Sequence, residues 1–147
     1  MPEWRRVQSQ GGASLLECLI ALLLFSFGVL AIIGLQARSI ADIGEGGARA
    51  QAALLAEQII GQMRADPQGL PAYQLNASAL PCSSGANSSA NSNITDWLAQ
   101  LTSSLPGAGA VRQTITTTGS GVVNVTVCWQ APRQSVPHRF DVSTQIP

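Results

Sequence analysis

Glu17 is the residue whose chemistry asks for an explanation first. It stands alone as a charge in "GGASLLECLIALLLFSFGVLAIIGLQ", residues 11–36. A charged side chain at the centre of a membrane helix costs roughly 2.5–3.5 kcal/mol on insertion scales, so it calls for a function and a partner. The other reactive side chains are scattered. The single histidine, His138, follows Pro137, and only Asp66, Asp96 and Asp141 supply carboxylates beyond the long helical region. A Ser–His–Asp set could be drawn from so many serines, but no spacing marks one as activated. His138 is read as a solvated loop residue, and catalysis is not expected. The three cysteines, Cys18, Cys82 and Cys128, have no CxxC spacing, so neither a zinc site nor any other metal or cofactor is expected.

These residues must be positioned by few elements. The chain has 147 residues, no net charge and no lysine, and only 11 % of its residues are charged. Average soluble proteins carry about 25 %. The eight basic residues form no stripe, which argues against strong binding of nucleic acid by this chain alone. Residues 15–35 as a helix would measure about 31 Å, enough to cross a bilayer core. Arg5 and Arg6 precede that run, so the positive-inside rule keeps the N-terminus cytoplasmic and sends the rest outward. Arg38 on the far side has Asp42 one turn away as a partner. A removed signal peptide would share the basic start and apolar core. The core is long for one, and no small-x-small site closely follows it. A plain signal anchor is the other ordinary reading.

Residues 36–64 lack proline, and Ala48, Ala52, Leu55, Ile59 and Met63 recur at helical spacing. The long helix therefore continues, with Glu45–Arg49 as an i, i+4 pair and a loosened turn expected at Gly44, Gly46 and Gly47. "DPQGLP" at 66–71 stops it. Residues 76–93, rich in Ser, Asn and Ala, read as a mobile loop except near Cys82. Thr95 is the expected N-cap of a short helix whose Trp97, Leu101 and Leu105 share a face. Residues 111–118 and 122–129 flank "GSG" and read as a β-hairpin, with a third strand over 139–144. In the second strand Val123, Val125, Val127 and Trp129 alternate with Asn124, Thr126 and Cys128. The expected fold is α+β: a long N-terminal helix whose outer half packs on a small antiparallel sheet. Cys18 lies in the apolar run, which leaves Cys82 and Cys128 on the outward side of the membrane, where a disulfide would staple a marginal core if that side is oxidising.

"GGASLLE" with its basic leader and apolar helix resembles the type IV prepilin family. There a membrane peptidase cuts after a leader glycine, and the fifth residue of the mature chain is Glu. Carried over, the cut falls after Gly12, Ala13 becomes the new N-terminus, and Glu17 is fifth. The family usually begins with Phe or Met, which is then N-methylated. With Ala13 here, the resemblance carries cleavage over more directly than methylation of Ala13. The resemblance also gives Glu17 a partner, the amine of Ala13 on the same helix face or that of a neighbouring subunit. An acid in the first turn further suits the helix dipole. Gly34 stands where many major pilins have a helix-weakening proline, and Gly28 is a second weak point. Further on, "PCSS", "DWLAQLTSSLPGAG" and "VVNVTVCWQ" resemble the minor pilins of the PilV family.

The implied organisation is a cytoplasmic leader (1–12), a pilin helix (13–65) and a periplasmic head (66–147). The implied role is a minor pilin that primes pilus assembly near the tip and supports adhesion, motility or DNA uptake. Its implied partners are prepilin peptidase, the other minor pilins, the major pilin, the inner-membrane assembly platform and, before assembly, the bilayer. A minor pseudopilin of a type II secretion system would share the leader, Glu17 and the helix, and it stays open as the alternative. A lone adhesin or DNA-binding module is a third class.

Overall fold

The computed structural model describes residues 11–132 and 134–147, except for the side chains of residues 11–13, 37, 38 and 40–42. Arg5 and Arg6 lie outside the described residues, as do the side chains of the expected Arg38–Asp42 pair. The architecture is α+β. Helix α1 runs Gly11–Ala65, helix α2 Ser92–Ser104, and three strands follow: β1 (Thr114–Thr117), β2 (Val122–Trp129) and β3 (His138–Gln145). The strands form one antiparallel sheet in the order β1-β2-β3. The chain divides into two compact units, Met1–Ile43 and Gly44–Pro147.

In the first unit, the stretch Ser14–Gln36 is long and apolar enough to cross a membrane, with mean hydropathy 2.8 and none of it buried. Leu, Ile and Phe side chains project all round it. Ser26 is satisfied within the helix, its hydroxyl donating to the Leu22 carbonyl at 2.7 Å.

The second unit is built on the periodic stripe of α1. Ala52, Leu55, Ala56, Ile59, Ile60 and Met63 are buried, while Glu57, Gln58 and Arg64 are exposed. Gly44, Gly46 and Gly47 stay helical, so the expected loosened turn does not form there. The helix stops at Ala65 because Pro67 and Pro71 cannot continue it. The chain turns instead through a short 3-10 segment, Pro67–Tyr73, with the Asp66 carboxylate accepting from the Gly69 amide at 3.1 Å.

Helix α2 adds Ile94, Trp97 and Leu101, all at most 1 % exposed. Trp97 is anchored by its indole N–H, which donates to the Leu55 carbonyl of α1 at 2.8 Å. The N-cap is Asn91, whose side chain accepts from the Asn93 amide at 2.9 Å. Thr95 instead bonds back to the Asn91 carbonyl at 3.1 Å, which places it inside the helix rather than at its cap.

Strand β2 lies at the centre of the sheet, with Val123, Val125, Val127 and Trp129 turned into the core. The "GSG" hairpin forms as the sequence pattern predicts. Gly121 adopts φ +77°, and a side chain there would collide with the Ile146 carbonyl, so glycine is required. Strand β1 is shorter than the 111–118 expectation. Val111 makes only an isolated bridge to Ser84, and pairing with β2 begins at Thr114.

Candidate functional site

The residues singled out by sequence fall in two places. Gly12 and Ala13 belong to the first turn of α1 as described, and Glu17 follows as an exposed residue of the same helix. Ala13 and Glu17 are i, i+4, so they share a helix face. Cys18 is exposed and unpaired.

The second place is the head around the Cys82–Cys128 disulfide, whose Cα atoms are 5.3 Å apart. Cys128 is fully buried, as is its neighbour Trp129, although alternation puts their side chains on opposite faces of β2. Both faces are covered at this end because the 82–85 segment lies beside residues 110–112. The Cys82 amide donates to the Arg112 carbonyl at 3.0 Å, the Arg112 amide to Ser83 at 2.8 Å, and the Gly85 amide to Ala110 at 3.0 Å. Cys82 itself takes φ +61°, an uncommon conformation for a non-glycine residue.

Two amides organise this end. Gln113 is fully buried; its Nε2 donates to the carbonyls of Ala108 and Cys128, each at 2.9 Å, and its Oε1 accepts from the Cys128 amide at 2.6 Å. Asn87 Oδ1 accepts from the Gln113 amide and from Asn76 Nδ2, both at 2.8 Å, and its Nδ2 donates to the Val111 carbonyl at 2.8 Å. The 76–93 segment is thus knitted by its own asparagines to residues 111–113, which lead into β1, against the expectation of a mobile loop. Composition signals turn residues but does not reveal which carbonyls their side chains will reach.

His138 is not a solvated loop residue. It begins β3, is half-buried, and stacks on the Trp129 ring with centroids 5.6 Å apart and planes 16° from parallel. Its Nδ1 is 3.3 Å from Glu45 Oε1, and its Nε2 meets Gln134 Oε1. Glu45 therefore pairs with His138 rather than with Arg49. Asp141 accepts from the Thr126 hydroxyl at 2.8 Å and pairs with Arg139 at 3.0 Å, while Asp66 serves as the cap described above. Among the described residues, no three His, Cys, Asp or Glu side chains are grouped to hold a metal ion. The groove beside Gly44, Ala48, Ser104 and Pro106 has no ionisable lining residue.

Compared with protein-family models, curated proteins and solved structures, the chain has no match. The functional reading therefore stands on its own residues.

Several of the residues that matter here have no signature in the sequence. Gln113 sits in an ordinary polar stretch, and only its place beside the strand that carries Cys128 makes it a hub. The Glu45–His138 contact joins positions far apart in the chain, and no periodicity reports it.

Proposed function

We propose that the chain is a minor type IV pilin, a structural subunit that helps to prime pilus assembly. The observation that carries the reading is the setting of Glu17. It is the only charge among residues 11–37, near the start of an exposed apolar stretch of helix. That helix continues into the stripe that packs the disulfide-tied α+β head.

In this reading Arg5 and Arg6 hold the leader on the cytoplasmic side, and prepilin peptidase cuts between Gly12 and Ala13. The cut creates a cationic amine on Ala13. Glu17 pairs with that amine, or with the amine of a neighbouring subunit, and so offsets the cost of an unpaired carboxylate in an apolar setting. The apolar stretch holds the subunit in the inner membrane with its head in the periplasm. On assembly it passes from lipid to a core of like helices, where packing replaces lipid contact without exposure to water. The disulfide fits an oxidising compartment. Major pilin, other minor pilins and the assembly platform are the partners this role requires. Expression with and without prepilin peptidase, followed by N-terminal sequencing, tests the reading through its first step.

A further inference from the structure

The sheet is closed on one side and open on the other. Beyond β1, Leu75 pairs with Ile115 through two backbone hydrogen bonds, Leu75 N–H to Ile115 O at 3.0 Å and Ile115 N–H to Leu75 O at 2.9 Å. Gln74 adds a bond from its side chain to the Thr117 hydroxyl at 3.2 Å. Beyond β3, no backbone partner is found among the described residues. β3 is as long as β2, eight residues each, so this open edge is not a short one.

Natural edge strands are blunted by proline, a bulge, charged side chains or a covering element, and of these β3 carries only the Arg139–Asp141 pair, mutually neutralised at 3.0 Å. β3 contains no proline, and its eight residues pair one-for-one with β2 without a bulge. Phe140, Val142 and Thr144 lie opposite Val127, Val125 and Val123. Those three valines are 0 % exposed, whereas Phe140 and Val142 pack on the core and are only half-buried. Apolar cover thus runs out across the width of one strand. Two polar contacts join α1 to β3, Glu45 with His138 and Arg64 Nη2 donating to the Thr144 hydroxyl at 3.2 Å.

We propose that the open edge of β3 docks an extended strand of a partner polypeptide, by β-strand addition. Only another extended backbone matches a row of outward N–H and C=O groups at strand spacing. The partner's alternate residues complete the cover over Phe140 and Val142, and so are apolar. On the solvent face Arg139 and Asp141 pair with each other at 3.0 Å, and an opposite charge across the strands would give each a further partner. For an antiparallel partner the motif, read N to C, is base–apolar–acid, with the apolar residue opposite Phe140. This surface goes beyond the pilin reading and stands or falls separately from it.

The probe is the capped peptide Thr-Val-Thr-Val-Lys-Val-Glu-Val, which places Lys opposite Asp141 and Glu opposite Arg139. Amide exchange is followed by NMR on the full chain in detergent micelles. With free peptide at about ten times its Kd, the β3 amides not bonded to β2 are expected to exchange about tenfold more slowly. A peptide N-methylated along the docking edge is expected to give no protection. One with Lys and Glu exchanged is expected to bind about fivefold more weakly. No protection of β3 by the first peptide overturns the proposal, as does equal protection by the N-methylated one. Concentration-dependent protection of β3 without peptide assigns the edge to a second copy and overturns the partner.

Discussion

Glu45 Oε1 on α1 lies 3.3 Å from Nδ1 of His138, the first residue of β3, while the His138 ring stacks on Trp129 of β2. One side chain thus ties the outer part of the long helix to two strands. It does so beside Gly44, Gly46 and Gly47, where helix propensity is weakest. Arg64 and Thr144 make a second tie near the end of α1.

The two halves of the first tie are expected to differ in weight. Glu45 is half-exposed, so Glu45→Gln should lower head stability by less than about 1 kcal/mol. His138→Ala should cost more, because it also removes the ring packed on Trp129. Urea unfolding followed by Trp fluorescence measures both; equal losses would show that the stack contributes nothing.

Gln113 should be among the most sensitive polar residues of the head. Gln113→Ala leaves the buried Cys128 amide and two carbonyls without their partner. Each unsatisfied buried group costs about 1–3 kcal/mol, so a loss of about 3 kcal/mol is expected. A shift of the urea midpoint no larger than that of an exposed control, Gln100→Ala, would contradict the hub role.

Reduction of Cys82–Cys128 releases a loop with a sequence separation of 46. The head should lose about 2–4 kcal/mol. The asparagine bonds of the 76–93 segment should weaken with it, since Cys82 is that segment's covalent tie to β2. Parallel unfolding curves with and without reductant, with exchange at the Asn87 and Gln113 amides, check this. Unchanged curves would mean that the hydrogen bonds alone hold the segment.

Much of this fold can be read from apolar spacing. The stripe at Ala52, Leu55, Ile59 and Met63 and the alternation along β2 report burial directly, because the two periods match their elements. What the spacing misses is made by polar side chains acting over distance. Asn91 rather than Thr95 caps α2 because its side chain meets the Asn93 amide, a choice between two good cap residues. Asn87 and Gln113 look like loop residues until the chain folds back on itself. The Glu17 setting lies at the opposite extreme: one charge in an apolar run is visible in the bare sequence, and the fold adds only its exposure on α1.

Glu17→Ala should leave cleavage at Gly12–Ala13 largely intact and sharply reduce the protein recovered in sheared pili. In the proposed reading the carboxylate registers the assembled subunit and does not serve the peptidase. Normal incorporation of the variant would remove the pairing with the Ala13 amine.

The most direct measurement is the intact mass and N-terminal sequence of membrane-extracted protein from cells with and without prepilin peptidase. The pilin reading predicts a chain that starts at Ala13 only when the peptidase is present, and at Met1 when it is absent. A start at Met1 in both would leave a membrane-anchored α+β domain and contradict the reading.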